Sequence, residues 1–261
     1  MATVSDLNYV PYSGNYKADS LLDAIVANWN YLLPSRTTLY YTFDCSAGSV
    51  IDVGTSEALT AFNATQKAAA NSILSYVTSV TGLSFVQTAS GSSADFHFGS
   101  INISGASTSG LCRSQSSYAY APGGEVLTAY QAESFIYLDN VEFFSGNSNP
   151  TAGSQGYETL LHEIGHALGL GHPFEGAYPL PGAEDNTNNT VMSYTSAGGN
   201  KTAFQAYDLL ALTWIYGNDG LGGTYGYNSV WGPTLDPGSA DLTGPFVASF
   251  SPADEASNVA V

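Results

Sequence analysis

The stretch "HEIGHALGLGH" occupies residues 162–172, and it holds three of the four histidines in the chain. On a helix, residues four apart lie on one face. His162 and His166 therefore point the same way and can grip one metal ion, with Glu163 projecting beside them. Gly169 lets the chain turn out of the helix with a positive φ, and the turn returns His172 as a third nitrogen ligand. Three protein ligands leave a fourth position for water, which is the arrangement of a catalytic rather than a structural site. Imidazole donors suit Zn2+, although other first-row metals accept them too. A metal-activated water and a neighbouring carboxylate make Glu163 the candidate general base. With this composition the full pattern arises by chance on the order of a few times in a million. Histidines that merely satisfy hydrogen bonds in a core need no such spacing.

Working outward, the chain has 261 residues, 44% of them hydrophobic, enough to bury a full core. Five Lys plus Arg stand against 22 Asp plus Glu, for a net charge of −17. Cations are too few to cluster into a phosphate-binding surface, so nucleic acid and anionic membranes are excluded as partners. No apolar run approaches the roughly 18 residues of a membrane span. Strong acidity favours solubility and opposes self-association, so a monomer is expected. The opening "MATVSDLNYV" has neither a basic start nor an apolar core and does not read as a Sec-type signal peptide. That leaves a cytoplasmic protein, another export route or a trimmed chain. Cys45 and Cys112 are expected to form a disulfide if the protein is extracellular; lacking CxxC spacing, they make poor zinc ligands.

Along the chain, 20–32 reads as a short amphipathic helix stopped by Pro34, and 37–43 as a strand. A long helical pattern follows through Leu59, Phe62, Gln66, Ala69, Ile73, Tyr76, Val77 and Val80. Asn63 and Gln66 can form a capping box at its start, and Gly82 marks its end. Residues 83–88, 94–100, 118–124 and 134–140 read as strands, and the Ser/Gly-rich run 102–117 as a loop. Residues 157–170 and 203–217 read as helices. The result is an α+β protein with an α/β-type N-terminal half and one helix in a largely irregular C-terminal part. After about Thr234 the composition becomes that of a linker.

HExxHxxGxxH followed by a methionine turn, here "TVMSY" (190–194), resembles the metzincin signature. The resemblance places Met192 as an apolar floor beneath the metal. Pro173 after the third histidine, and Tyr194 two residues past Met192, resemble the serralysin family (peptidase family M10B). Matrixins carry proline where Tyr194 stands, so this chain does not look like one. The resemblance runs over roughly 12–230. It implies the metzincin fold: a twisted, mostly parallel five-stranded sheet with one antiparallel edge strand, long helices and an active-site helix. It implies Tyr194 as a further zinc ligand that also hydrogen-bonds the transition state. It also makes "YAYAPGG" the edge strand that receives substrate, through Tyr118, Ala119, Tyr120 and Ala121. Residues 195–200 would wall the pocket beyond the scissile bond.

The sequence departs from serralysins in two respects. No glycine-rich calcium-binding repeat is present, "GNDGLGG" (217–223) being a feeble echo, so calcium has no motif to support it. Serralysins seldom carry cysteine. Residues 1–234 are expected to be the catalytic domain. Residues 235–261 are expected to be a linker leading into "GPFVASFSPADEASNVAV", which resembles the opening of a bacterial Ig-like domain; such a domain needs about 100 residues. The expected function is a secreted zinc endopeptidase acting on extracellular proteins or peptides. Two alternatives stand beside it: a catalytically silent adhesion or binding module, which would have no chemical need for Glu163, and a metzincin protease outside the serralysins.

Overall fold

A computed structural model describes residues 4, 7, 12–22, 29–32, 38–45, 59–124 and 126–217. The linker and Ig-like segment expected at 235–261, and the echo at 217–223 beyond Gly217, lie outside the described residues.

Five strands form one sheet: β1 (Thr38–Thr42), β2 (Ser84–Gln87), β3 (Phe96–Ile101), β4 (Gly110–Tyr120) and β5 (Leu127–Asp139), in the order β2-β1-β3-β5-β4. The β1–β2, β1–β3 and β3–β5 pairs are parallel, and only β4–β5 is antiparallel. The expected mostly parallel sheet with one antiparallel edge strand is therefore present. The helices are α1 (Tyr16–Asp19), α2 (Ala64–Thr81), α3 (Phe144–Asn147), α4 (Gln155–Ala167) and α5 (Ala206–Tyr216).

Helix α2 starts where the sequence places its cap. The Asn63 side chain accepts from the backbone of Thr65 and Gln66, while Gln66 Oε1 accepts from Asn63 N at 2.8 Å. It ends at Gly82, whose φ of 73° is the left-handed turn that glycine adopts freely. One face of the sheet packs on α2, α4 and α5 through Ala70, Ile73, Val77, Ile136, Leu138, Leu160, Ile164 and Leu212. The other face carries a smaller cluster of Ile101, Ile103, Leu111, Phe135 and Tyr137.

Three expectations are corrected. Of the helix expected over 20–32, the described residues show none at 20–22: α1 ends at Asp19, Leu21 O accepts from Gly171 N at 2.8 Å, and Trp29–Tyr31 form a 3-10 turn. The loop expected over 102–117 contains the first half of β4, which is paired from Gly110 onward. Cys45 and Cys112 are free thiols. Cys45 Sγ lies against Phe98 O, on the face that a Gly99 Cβ would enter, whereas Cys112 is in β4 and buried in the opposite, helix-side core. With β5 between β3 and β4, the two are roughly 10 Å or more apart, two strand spacings. A disulfide needs Cα atoms within about 7 Å.

Candidate metal centre

Helix α4 carries the first two histidines. Ser154 caps it by accepting from Tyr157 N at 3.2 Å. The helix ends at Ala167, and Gly169, with φ 97°, turns the chain back. The carbonyls left over at this end are taken up by other parts of the chain. Trp29 Nε1 donates to Ala167 O at 2.7 Å, and Tyr216 Oη donates to Leu168 O. These bonds satisfy groups that no helix can satisfy internally, and they fix the turn that presents His172.

The three imidazoles converge. His166 Nε2 is 3.1 Å from His162 Nε2 and 3.1 Å from His172 Nε2, and all three rings are buried. Each Nδ1 has an oxygen partner: His162 meets Val191 O at 2.8 Å, His166 meets Leu170 O at 2.7 Å, and His172 meets Glu175 Oε2 at 3.2 Å. A carbonyl only accepts, so Nδ1 of His162 and of His166 carries the proton. Burial, and then the neighbouring His172, lowers His162 to about 3; burial likewise holds His166 well below the ordinary imidazole value. Both rings are therefore neutral, and their Nε2 lone pairs face each other across 3.1 Å. Two acceptors at that separation suit a shared cation. Tetrahedral Zn2+ with nitrogen ligands at about 2.05 Å separates them by about 3.3 Å. The residues present fit the ion, and the Nδ1 partners supply the outer hydrogen bonds that orient metal-bound imidazoles.

Tyr194 joins this group, with its Oη 2.8 Å from His172 Nε2. Met192 is fully buried beneath α4, close enough that a Cβ on Gly165 would lie 2.6 Å from its Sδ. Asp208 of α5 holds the methionine turn in place. Its carboxylate accepts from Thr190 Oγ1 at 2.5 Å, Val191 N at 2.9 Å and Gln205 N at 2.7 Å. Burial pushes its pKa up to about 7, against the pull of these donors. The turn so fixed supplies Val191 O to His162.

Glu163 is buried and packs on the first residue of β4. A Cβ on Gly110 would lie 2.6 Å from its Oε1, so glycine is needed there for close approach. This contact shows which part of the edge strand borders the centre. Tyr118 lies eight positions further along β4, about 27 Å away at strand rise. Tyr118 and Tyr120 are exposed, near the far end of the hairpin, and Ala121 is in its turn. The structure does not bring Tyr118–Ala121 to the metal centre; Gly110 and the residues just after it occupy that edge. His97 is also elsewhere, stacked on Phe135 at 4.4 Å on the opposite face of the sheet.

Sequence reading missed Glu175, Asp208, Gly110 and the Val191 and Leu170 carbonyls. Only Glu175, three residues past His172, carried a local signal. A cavity of about 210 Å3 opens beside His162 between the start of α4 and the 187–200 loop, with Ser196 and Asn200 in its wall. Of the expected wall segment 195–200, Ser196 and Asn200 line this cavity.

Residues 53–216 match the peptidase M10 family, described as matrixin. The chain belongs to this family of zinc metalloproteases, and within it the chain is serralysin-like. It is 32% identical over 219 residues to the metallopeptidase AprA of Pseudomonas marginalis, covering 74% of this chain and 44% of that protein. It is 31% identical over 228 residues to the metalloprotease AprA of Pseudomonas entomophila (78% and 45%), and 35% identical over 106 residues to the serralysin of Proteus mirabilis (33% and 22%). The chain spans less than half the length of these relatives. Among the described residues no helix is long and apolar enough to cross a membrane.

Proposed function

We propose that this chain is a zinc-dependent endopeptidase domain of an extracellular protein, hydrolysing internal peptide bonds of protein or peptide substrates. The observation that carries the reading is the convergence of three imidazole nitrogens, with His166 Nε2 3.1 Å from each of the other two, beside a buried glutamate that abuts an edge strand. His162, His166 and His172 would hold the ion, with Tyr194 within reach as a further ligand. The chemistry a zinc ion supplies there is Lewis acidity towards the attacking water and the scissile carbonyl.

An extended substrate adds antiparallel to the outer edge of β4, its backbone paired and its side chains sorted by pockets. Glu163, pressed between α4 and Gly110, accepts the proton of the attacking water and delivers it to the leaving amine. The Tyr194 hydroxyl donates a hydrogen bond to the oxyanion as the carbonyl carbon becomes tetrahedral. Val191 O, Leu170 O and Glu175 hold the imidazoles in orientation throughout. Extracellular placement follows the serralysin resemblance.

The test is casein digestion by wild type, by wild type treated with a chelator, and by Glu163→Ala. Chelation should abolish digestion and zinc should restore it. Glu163→Ala should keep one zinc per chain and its fold but lose about a hundredfold or more in rate. Digestion that survives both treatments would overturn the reading.

A further inference from the structure

The cavity beside His162 contains a carboxylate that the hydrolytic mechanism does not use. Glu158 sits one turn before His162 on α4 and lines the cavity. Its Oε1 is buried and has no hydrogen-bond partner. Lys201 turns its ammonium elsewhere, with Nζ donating to Asn188 Oδ1 at 2.8 Å, Ala197 O at 2.7 Å and Gly199 O at 2.9 Å. Burial raises the Glu158 carboxyl, offset in part by the backbone N–H and charge of Lys201. An unpaired carboxylate oxygen in such a place is costly unless a donor reaches it.

The cavity's place on the substrate path follows from β4. Thr159 touches both ends of the relevant corner, with its Oγ1 3.2 Å from Ser109 Oγ and its Cγ2 2.7 Å from where a Gly110 Cβ would sit. The cavity therefore lies at the start of β4. A peptide antiparallel to β4 runs towards that start with its C-terminal half, so the cavity takes the side chain just C-terminal of the scissile bond.

Resting on the proposed endopeptidase activity, we infer that Glu158 makes this cavity selective for a basic side chain, lysine or arginine, at that position. A long aliphatic stem fits a cavity of about 210 Å3, and its terminal cation meets the Glu158 carboxylate, whose buried Oε1 gains a donor once the side chain turns towards the cavity. The net charge of −17 reinforces the choice by drawing cationic peptides to the protein and disfavouring acidic ones.

The experiment uses two peptides identical except for Lys or Leu after the scissile bond. With the zinc-loaded enzyme, kcat/KM should favour the Lys peptide by between about tenfold and a hundredfold, the range a charge-assisted hydrogen bond supports. In Glu158→Gln the ratio should fall close to one. Equal or better cleavage of the Leu peptide by wild type, which needs no variant, overturns the inference, as does an unchanged ratio in the glutamine variant. Affinities of both peptides for zinc-loaded Glu163→Ala provide a readout without turnover. If neither peptide nor casein is cleaved, the endopeptidase reading fails. Tighter binding of the Lys peptide still supports the selectivity in that case, and equal binding ends it.

Discussion

Adding one methyl group at Gly110 tests the contact between edge strand and glutamate. In Gly110→Ala the new Cβ would lie 2.6 Å from Glu163 Oε1, 2.7 Å from Thr159 Cγ2 and 2.8 Å from Glu163 Cγ. Ordinary carbon contacts sit at about 3.5–4.0 Å, so the shortfall is about 1 Å against three atoms at once. Thr159 cannot swing aside easily, because its β-branched χ1 is stiff and its Oγ1 is tied to Ser109 Oγ at 3.2 Å. Either Glu163 rotates away or β4 shifts outward. Overpacking of this kind destabilises by about 1–3 kcal/mol, a drop in Tm of roughly 2–12 °C for a domain of this size. A misplacement of 1 Å at a reacting group lowers the rate about a hundredfold. The assay is steady-state cleavage of a quenched peptide together with thermal unfolding and zinc content. The expected result is a kcat about a hundredfold lower, a lower Tm, and zinc retained, since the imidazoles are untouched. Thr159→Ser in the same background removes Cγ2 and should restore part of the stability but little of the rate. A Gly110→Ala enzyme with wild-type kcat and Tm would refute the placement of β4 against Glu163.

Tyr194→Phe should lower kcat by about 100- to 1,000-fold, the usual effect of losing one oxyanion donor, with KM flat or lower and zinc retained; an unchanged kcat makes the tyrosine purely structural. Asp208 has a folded pKa raised to about 7, so the folded state binds its proton more tightly than the unfolded one. Its contribution to stability is then fully present below about pH 4 and is lost as pH rises through 7. The difference in unfolding free energy between wild type and Asp208→Asn should accordingly shrink from pH 4.5 to pH 8, as read by denaturant titration at each pH. Thiol titration of unfolded, unreduced protein should find two free thiols, and finding none would place Cys45 and Cys112 in a fold different from this one.

What could be read directly from the sequence was local. The HExxHxxGxxH spacing, the Asn63–Gln66 cap and the Gly82 stop each lie within a few turns of one helix, and each is where the residues place it. What escaped was set by pairing at a distance. The first half of β4, "GLCRSQSS", is poor in β-branched residues, and its strand character comes from its antiparallel register with β5. That register decides that Gly110, not Tyr118, borders Glu163, and it also puts Cys112 on the face away from Cys45. Apolar periodicity proposed a helix over 20–32, but Leu21 gives its carbonyl to Gly171, a partner 150 residues away that no window of the sequence contains. The carbonyls that orient His162 and His166 leave no trace in residue types, because every residue has one.

The bonds that close the end of α4 have a consequence in time. Trp29 donates to Ala167 O, Gly171 N donates to Leu21 O, and Tyr216 donates to Leu168 O. The first two partners precede the histidines in the chain; the third follows them by more than forty residues. A nascent chain that has just delivered His172 from the ribosome holds all three imidazoles, yet a buried carbonyl beside them lacks its donor and Asp208 has not arrived to pin the methionine turn. The ligand cluster is thus among the first chemistry to be synthesised in this half of the protein and among the last to be set in place. A chain stopped short of α5 carries every metal-binding side chain without the geometry that makes them a centre.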